Sequence, residues 1–137
     1  MRKEVNRLYR IIDANLNRAK EGLRVCEDVC RFILDEQQLT RRFKIVRHEL
    51  TDAIGALKIM DVIEARNIQE DVGRGSIVLE SKRKNVSDVF YANAQRVKES
   101  LRVLEEVAKL LDGRLAERLK KLRYRVYALE KEVFKEC

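Results

Sequence analysis

One stretch of this chain occurs twice. Residues 14–29 read ANLNRAKEGLRVCEDV and residues 92–107 read ANAQRVKESLRVLEEV, with ten of sixteen positions identical at a constant offset of 78. The kept residues include Ala14/Ala92, Asn15/Asn93, Arg18/Arg96, Glu21/Glu99, Leu23/Leu101, Arg24/Arg102 and Glu27/Glu105. A weaker match follows each block at an offset of 76 and shares Leu39/Leu115, Arg42/Arg118, Lys44/Lys120 and Arg47/Arg123. Two copies of one unit, each with an apolar face, point to a pseudo-two-fold packing of copy on copy.

The unit is a helical hairpin. Apolar residues recur at steps of three and four, the helical period. They are Ile12, Leu16, Ala19, Leu23, Cys26, Cys30 and Ile33 in the first segment, and Leu39, Phe43, Val46, Leu50, Ala53 and Leu57 in the second. The third carries Phe90, Ala94, Val97, Leu101, Leu104, Ala108 and Leu111. The fourth carries Leu115, Leu119, Leu122, Val126, Leu129 and Val133, the spacing of a bundle seam. Proline is absent, so no helix need be interrupted. Asp35 to Gln38 reads as a polar turn. Asp112-Gly113 reads as a helix stop, with the glycine free to take the left-handed position.

The expected fold is all-α: a pseudo-two-fold four-helix bundle made from two repeated helical hairpins. The 137 residues form one domain, with repeat one over about 8–58, a connecting loop over about 60–86 and repeat two over about 87–136. In that loop the period fades, and Asp71-Val72-Gly73-Arg74-Gly75-Ser76 precedes the apolar run Ile77, Val78, Leu79. The run reads as a short strand, paired across a dimer, or as part of a lid over a site.

Charged residues make up 39% of the chain and the formal net charge is +7. Dense Lys and Glu without proline fit a thermophile surface laced with ion pairs. Excess positive charge fits a polyanionic partner, either nucleic acid or a phosphorylated metabolite. Positive residues alternate with acids along each helix and form no unbroken basic stripe, which disfavours nucleic acid. No run of roughly 18 apolar residues is present, and the N-terminus lacks the apolar region of a signal peptide. Three cysteines make no disulfide framework. A cytoplasmic protein with free thiols is expected.

Core packing explains the kept leucines but not the kept polar residues. At about 100° per residue, Asn15, Arg18 and Gly22 share one shoulder of the first helix, and Asn93, Arg96 and Ser100 the same shoulder of the third. Glu21 and Glu99 lie just outside it. The small residues at 22 and 100 leave room for another helix or for a ligand. Surface Arg–Glu pairs are the plain alternative, worth a few tenths of a kcal/mol each. Recurrence on one shoulder twice over favours a site.

Other motifs are weaker. No GxxxxGK[ST] loop exists, which excludes a P-loop enzyme. Gly73-Arg74-Gly75 can present backbone N–H groups to an anion. Cys26 and Cys30 sit on the apolar face and read as core rather than as metal ligands. The sole histidine, His48, borders the apolar stripe of the second helix. Arg18, Arg47, Arg66 and Arg96 are better leads, because arginine binds phosphate bidentately. Glu21, Glu99 and Asp71 are the candidate magnesium carboxylates.

The string RIIDANLNRAKEGLRVCEDVCRF at 10–32 resembles the opening of a small helical domain often fused in front of thiamine-phosphate synthase. The Arg47-His48 pair, the Arg66…Asp71-Val72-Gly73 stretch and the block at 92–109 match that family too, so the resemblance covers nearly the whole chain. The family is a hydroxymethylpyrimidine phosphate kinase unrelated to the ribokinase-like enzyme, and no synthase barrel follows here, as in a stand-alone form. The resemblance implies ATP- and Mg2+-dependent phosphorylation of 4-amino-5-hydroxymethyl-2-methylpyrimidine phosphate to the diphosphate, in thiamine biosynthesis. In that chemistry Arg18, Arg47, Arg66 and Arg96 would clamp phosphates, and Glu21, Glu99 and Asp71 would hold magnesium. Asn15, Asn93, Arg24, Arg102, His48 and Gly73 would bind pyrimidine or nucleotide. Asn67 departs from the Asp expected after the arginine.

Two other classes stay open at this point: a chorismate-mutase-like helical enzyme, and a non-catalytic module that docks to thiamine-phosphate synthase or binds nucleic acid. A homo-oligomer with a site shared between subunits is also expected.

Overall fold

A computed structural model describes residues 2–136. Four long helices carry the fold: α1 (Arg2–Asp28), α2 (Gln37–Ile54), α5 (Val86–Ala108) and α6 (Gly113–Glu136). Between α2 and α5 lie two short ones, α3 (Ile59–Glu64) and α4 (Val78–Ser81). α1 packs on α2 and α5, and α6 packs on α5 and α2, which closes a four-helix ring. The two helices of each repeat are neighbours, and the two hairpins meet along α1–α5 and α2–α6.

The buried residues are the seam read from the sequence. Leu23, Phe43, Leu50, Phe90, Val97, Leu101, Leu119 and Val126 are fully buried. Phe43 and Phe90 meet edge to face with ring centroids 6.0 Å apart, tying the second helix of one hairpin to the first of the other. Cys26 and Cys30 are buried, and burial pushes the Cys26 thiol well above its ordinary range. That makes it a small apolar core group.

Glu27 and Glu105, the repeat-related acids, are buried within the helical layers. Glu27 Oε1 accepts from Arg47 Nε at 3.1 Å, and Glu105 Oε2 accepts from Arg123 Nη2 at 3.1 Å. Each pair joins the two helices of its own hairpin, and Arg24 and Arg102 add a longer contact from the exposed side. Three of the kept polar identities, Glu27/Glu105, Arg47/Arg123 and Arg24/Arg102, therefore have a structural use: one clamp per hairpin.

Three expectations are corrected. α1 closes in a π-helical turn, Val29–Ile33, that inserts an extra residue into the register and turns Ile33 out to solvent, 57% exposed. Gly113 is not left-handed; it opens α6, and Asp112 Oδ1 accepts from the Arg114 and Leu115 N–H groups as a cap. The left-handed residue is Asp35, with φ 51°, in the polar turn. The apolar run at 77–79 enters α4, and no strand occurs among the described residues. A lone strand would leave its backbone groups without ladder partners.

The connecting segment is anchored at its start. α3 buries Val62 against α1, followed by Ala65. From there residues 66–76, together with Arg83, border recesses on the α1–α5 face. Among the described residues, no helix is long and apolar enough to cross a membrane.

Candidate functional site

α1 and α5 come unusually close at the middle of the repeat. A Cβ on Gly22 would stand 2.6 Å from Val97 Cγ2 and 3.0 Å from the Asn93 carbonyl oxygen. The small residue at 22 thus admits another helix. Its counterpart Ser100 is buried and lines an open recess instead. The two meanings open for a small residue at this place are divided between the copies.

Two adjoining recesses lie on this face, beneath the connecting segment. The first, about 470 Å³, is walled by α1 residues Arg7, Arg10, Ile11 and Asp13 and by Arg66, Ile68 and Asp71. The second, about 580 Å³, is walled by Gly73 to Ser76, Arg83, Arg96, Glu99 and Ser100. Asn15 and Arg18 line both and form the wall they share.

Asn15 is buried, donates from Nδ2 to the Ile11 carbonyl at 2.9 Å, and accepts at Oδ1 from Arg18 at 3.5 Å. Asn93 makes the same local bond to the Val89 carbonyl, at 2.8 Å, but lines neither recess. Arg18 and Arg96 are exposed, and among the described residues neither makes an ion pair. Guanidiniums without carboxylate partners are available to an incoming anion.

Arg66 is differently placed. Its Nε and Nη2 donate to Asp13 Oδ2 and Oδ1 at 2.7 and 2.6 Å, a bidentate fork from the end of α3 onto α1. Hydrogen bonding and charge from Asp13 push the Arg66 guanidinium further up from its already high range. Asn17 also donates to Asp13, at 3.3 Å. Arg66 is thus a latch on the connecting segment, leaving one side of its guanidinium at the recess. Asp71 Oδ1 accepts from the Gly73 N–H at 2.9 Å and holds the tight turn between the recesses. Asn67, in the first recess, donates to Glu70 at 2.9 Å and accepts from the Glu70 N–H at Oδ1, so it shapes the loop.

The structure brings together Asn15, Arg18, Arg66, Asp71, Gly73, Arg96 and Glu99. It sets others apart. Arg47 is engaged with Glu27, Arg24 lies outside that same pair, and His48 is exposed on α2. Arg102 borders a separate hollow of about 380 Å³ with Lys98, Arg123 and Tyr127, which touches the second recess through Glu99. Of the three carboxylates, Glu99 and Asp71 reach the recesses and Glu21 points elsewhere, exposed. No cluster of three or more His, Cys, Asp or Glu that can hold a metal occurs among the described residues. Magnesium bound through one or two carboxylates and substrate phosphates needs no such cluster.

Sequence reasoning missed Asp13, Arg7 and Arg10, and it read Arg74 and Ser76 only as parts of the connecting loop, with the backbone N–H groups of Gly73-Arg74-Gly75 open to an anion. The counterpart of Asp13 at the offset of 78 is Tyr91, so a search for duplicated polar residues passes over it. The arginines carried no signal until the helix face that meets the loop was known.

The ThiD2 family model matches residues 10–132. Thiamine-phosphate synthase of Synechocystis sp. is 45% identical over 124 residues, which is 90% of this chain and 35% of the relative. That of Thermosynechococcus vestitus is 44% identical over 128 residues, 93% of this chain and 35% of the relative. That of Rhodopirellula baltica is 39% identical over 131 residues, 95% and 35%. The chain spans about a third of the length of these curated relatives. No solved structure matches it.

Proposed function

The chain belongs to the ThiD2 family, and on that footing we propose that it acts in thiamine biosynthesis as a kinase on 4-amino-5-hydroxymethyl-2-methylpyrimidine phosphate. An oxygen of the acceptor's phosphate attacks the γ-phosphorus of ATP. The bond from that phosphorus to the β–γ bridging oxygen breaks, and ADP leaves with the electron pair. The products are the pyrimidine diphosphate and ADP.

The observation that carries this reading is the pair of recesses meeting at Arg18. Phosphoryl transfer asks for positioning and charge neutralisation more than for a reactive side chain. Two anionic substrates repel each other unless cations stand between and around them. Arg18 stands in the shared wall, with Arg96 on one side and the Asp13-held Arg66 on the other. Glu99 and Asp71 are the carboxylates that would hold magnesium, which supplies further neutralisation of the polyphosphate. The acceptor must already carry a phosphate to use an arginine-rich pocket, so the free alcohol is expected to be a poor substrate.

Phosphorus NMR of the purified protein with ATP, magnesium and the pyrimidine monophosphate tests this directly. A diphosphate signal growing with enzyme concentration supports it. A folded protein that forms none overturns it. A second reading, a non-catalytic module serving a thiamine-phosphate synthase, is favoured by the length of the relatives. It predicts binding to such a synthase and no turnover.

A further inference from the structure

Arg18 and Arg96 are counterparts in the repeat, yet they line one recess. A residue and its counterpart share a recess where the pseudo-two-fold axis passes between them, as in any isologous contact. Both halves of the chain therefore build a single site on the axis.

The surroundings of the axis are not symmetric. Asn15 lines the recesses and Asn93 does not; Glu99 does and Glu21 does not. The connecting segment makes the difference, because it crosses the face once and has no second copy. It divides what symmetry would make one hollow into two unlike ones.

Their chemistry differs accordingly. Four arginines (Arg18, Arg74, Arg83 and Arg96) line the second recess against one carboxylate, Glu99. It is the larger, and among the described residues nothing lies within 4 Å of the Cβ position of Gly75, so the backbone there is open to a ligand. In the first recess four arginines face two carboxylates, and Asp13 already engages Arg66. Two exposed isoleucines, Ile11 and Ile68, line that recess and can cover the face of a small ring.

Resting on the kinase reading above, we infer that each chain binds one nucleotide and one acceptor, in assigned places. The polyphosphate chain lies in the second recess, against Arg96 and Arg74. The aromatic monophosphate lies in the first, against Arg10 and the two isoleucines. Arg18 stands between the donated and the accepting phosphates.

Calorimetric titration of the full chain tests the assignment. The probes are a non-hydrolysable ATP analogue with magnesium and, separately, the pyrimidine monophosphate. Wild type is expected to take one equivalent of each. Arg96→Ala, and independently Arg74→Ala, is expected to weaken the nucleotide analogue about 10- to 100-fold and leave the monophosphate within about twofold. Arg10→Ala is expected to do the reverse. All three side chains are exposed, so the variants should fold, as circular dichroism checks. Two equivalents of nucleotide, exchanged effects, or one ligand weakened by all three variants overturns the assignment while the kinase reading stands. Wild type that binds neither ligand overturns both.

Discussion

Glu27 and Glu105 show how one residue type can be retained for stability beside others that face the candidate site. Each is buried against an arginine of the partner helix. Removing one member of a buried pair strands the other charge away from water. Glu105→Gln is expected to cost about 3 kcal/mol, read as a lower urea midpoint at unchanged slope. Arg24→Ala, which removes only an exposed partner at 3.5 Å, should stay within about 0.5 kcal/mol. Gly22→Ala sets improved helix propensity against a Cβ 2.6 Å from Val97 Cγ2. The clash should dominate, for a net loss of about 1–2 kcal/mol in the same measurement. Duplication marked all of these residues, but it cannot separate a clamp from a phosphate ligand. Arg47 and Arg18 look alike in the sequence; only the position of Glu27 on the neighbouring face distinguishes them.

At the level of helices, the amphipathic stripes of α1, α2, α5 and α6 were legible because each buries one continuous face. Their ends were less so, since caps depend on loop geometry. α5 starts at a reciprocal cap in which Asn85 Oδ1 accepts from the Asp88 N–H at 2.8 Å, and Asp88 accepts from the Lys84 N–H at 3.1 Å. Asn85→Ala should therefore cost about 1 kcal/mol in thermal or urea unfolding, and Asp112→Ala a similar amount at the start of α6. The π turn and α3 escaped the sequence reading for one reason. Each is short, and its geometry answers to what it packs against rather than to its own period. α3 shows only Ile59, Val62 and Ile63 at helical spacing, too little to separate from a loop.

For the whole molecule, the duplication foretold the pseudo-two-fold bundle, while the single connecting segment gives the candidate site its asymmetry. That segment has no counterpart in the chain, so its arginines and its latch to Asp13 carried no internal comparison. The proposed chemistry depends on arginines neutralising phosphates where the two recesses meet. Comparing kcat/KM for the pyrimidine monophosphate in wild type and Arg18→Ala, with ATP and magnesium saturating, tests that most directly. The predicted result is a loss of about 100-fold or more with the fold unchanged. A variant within about twofold of wild type would contradict it.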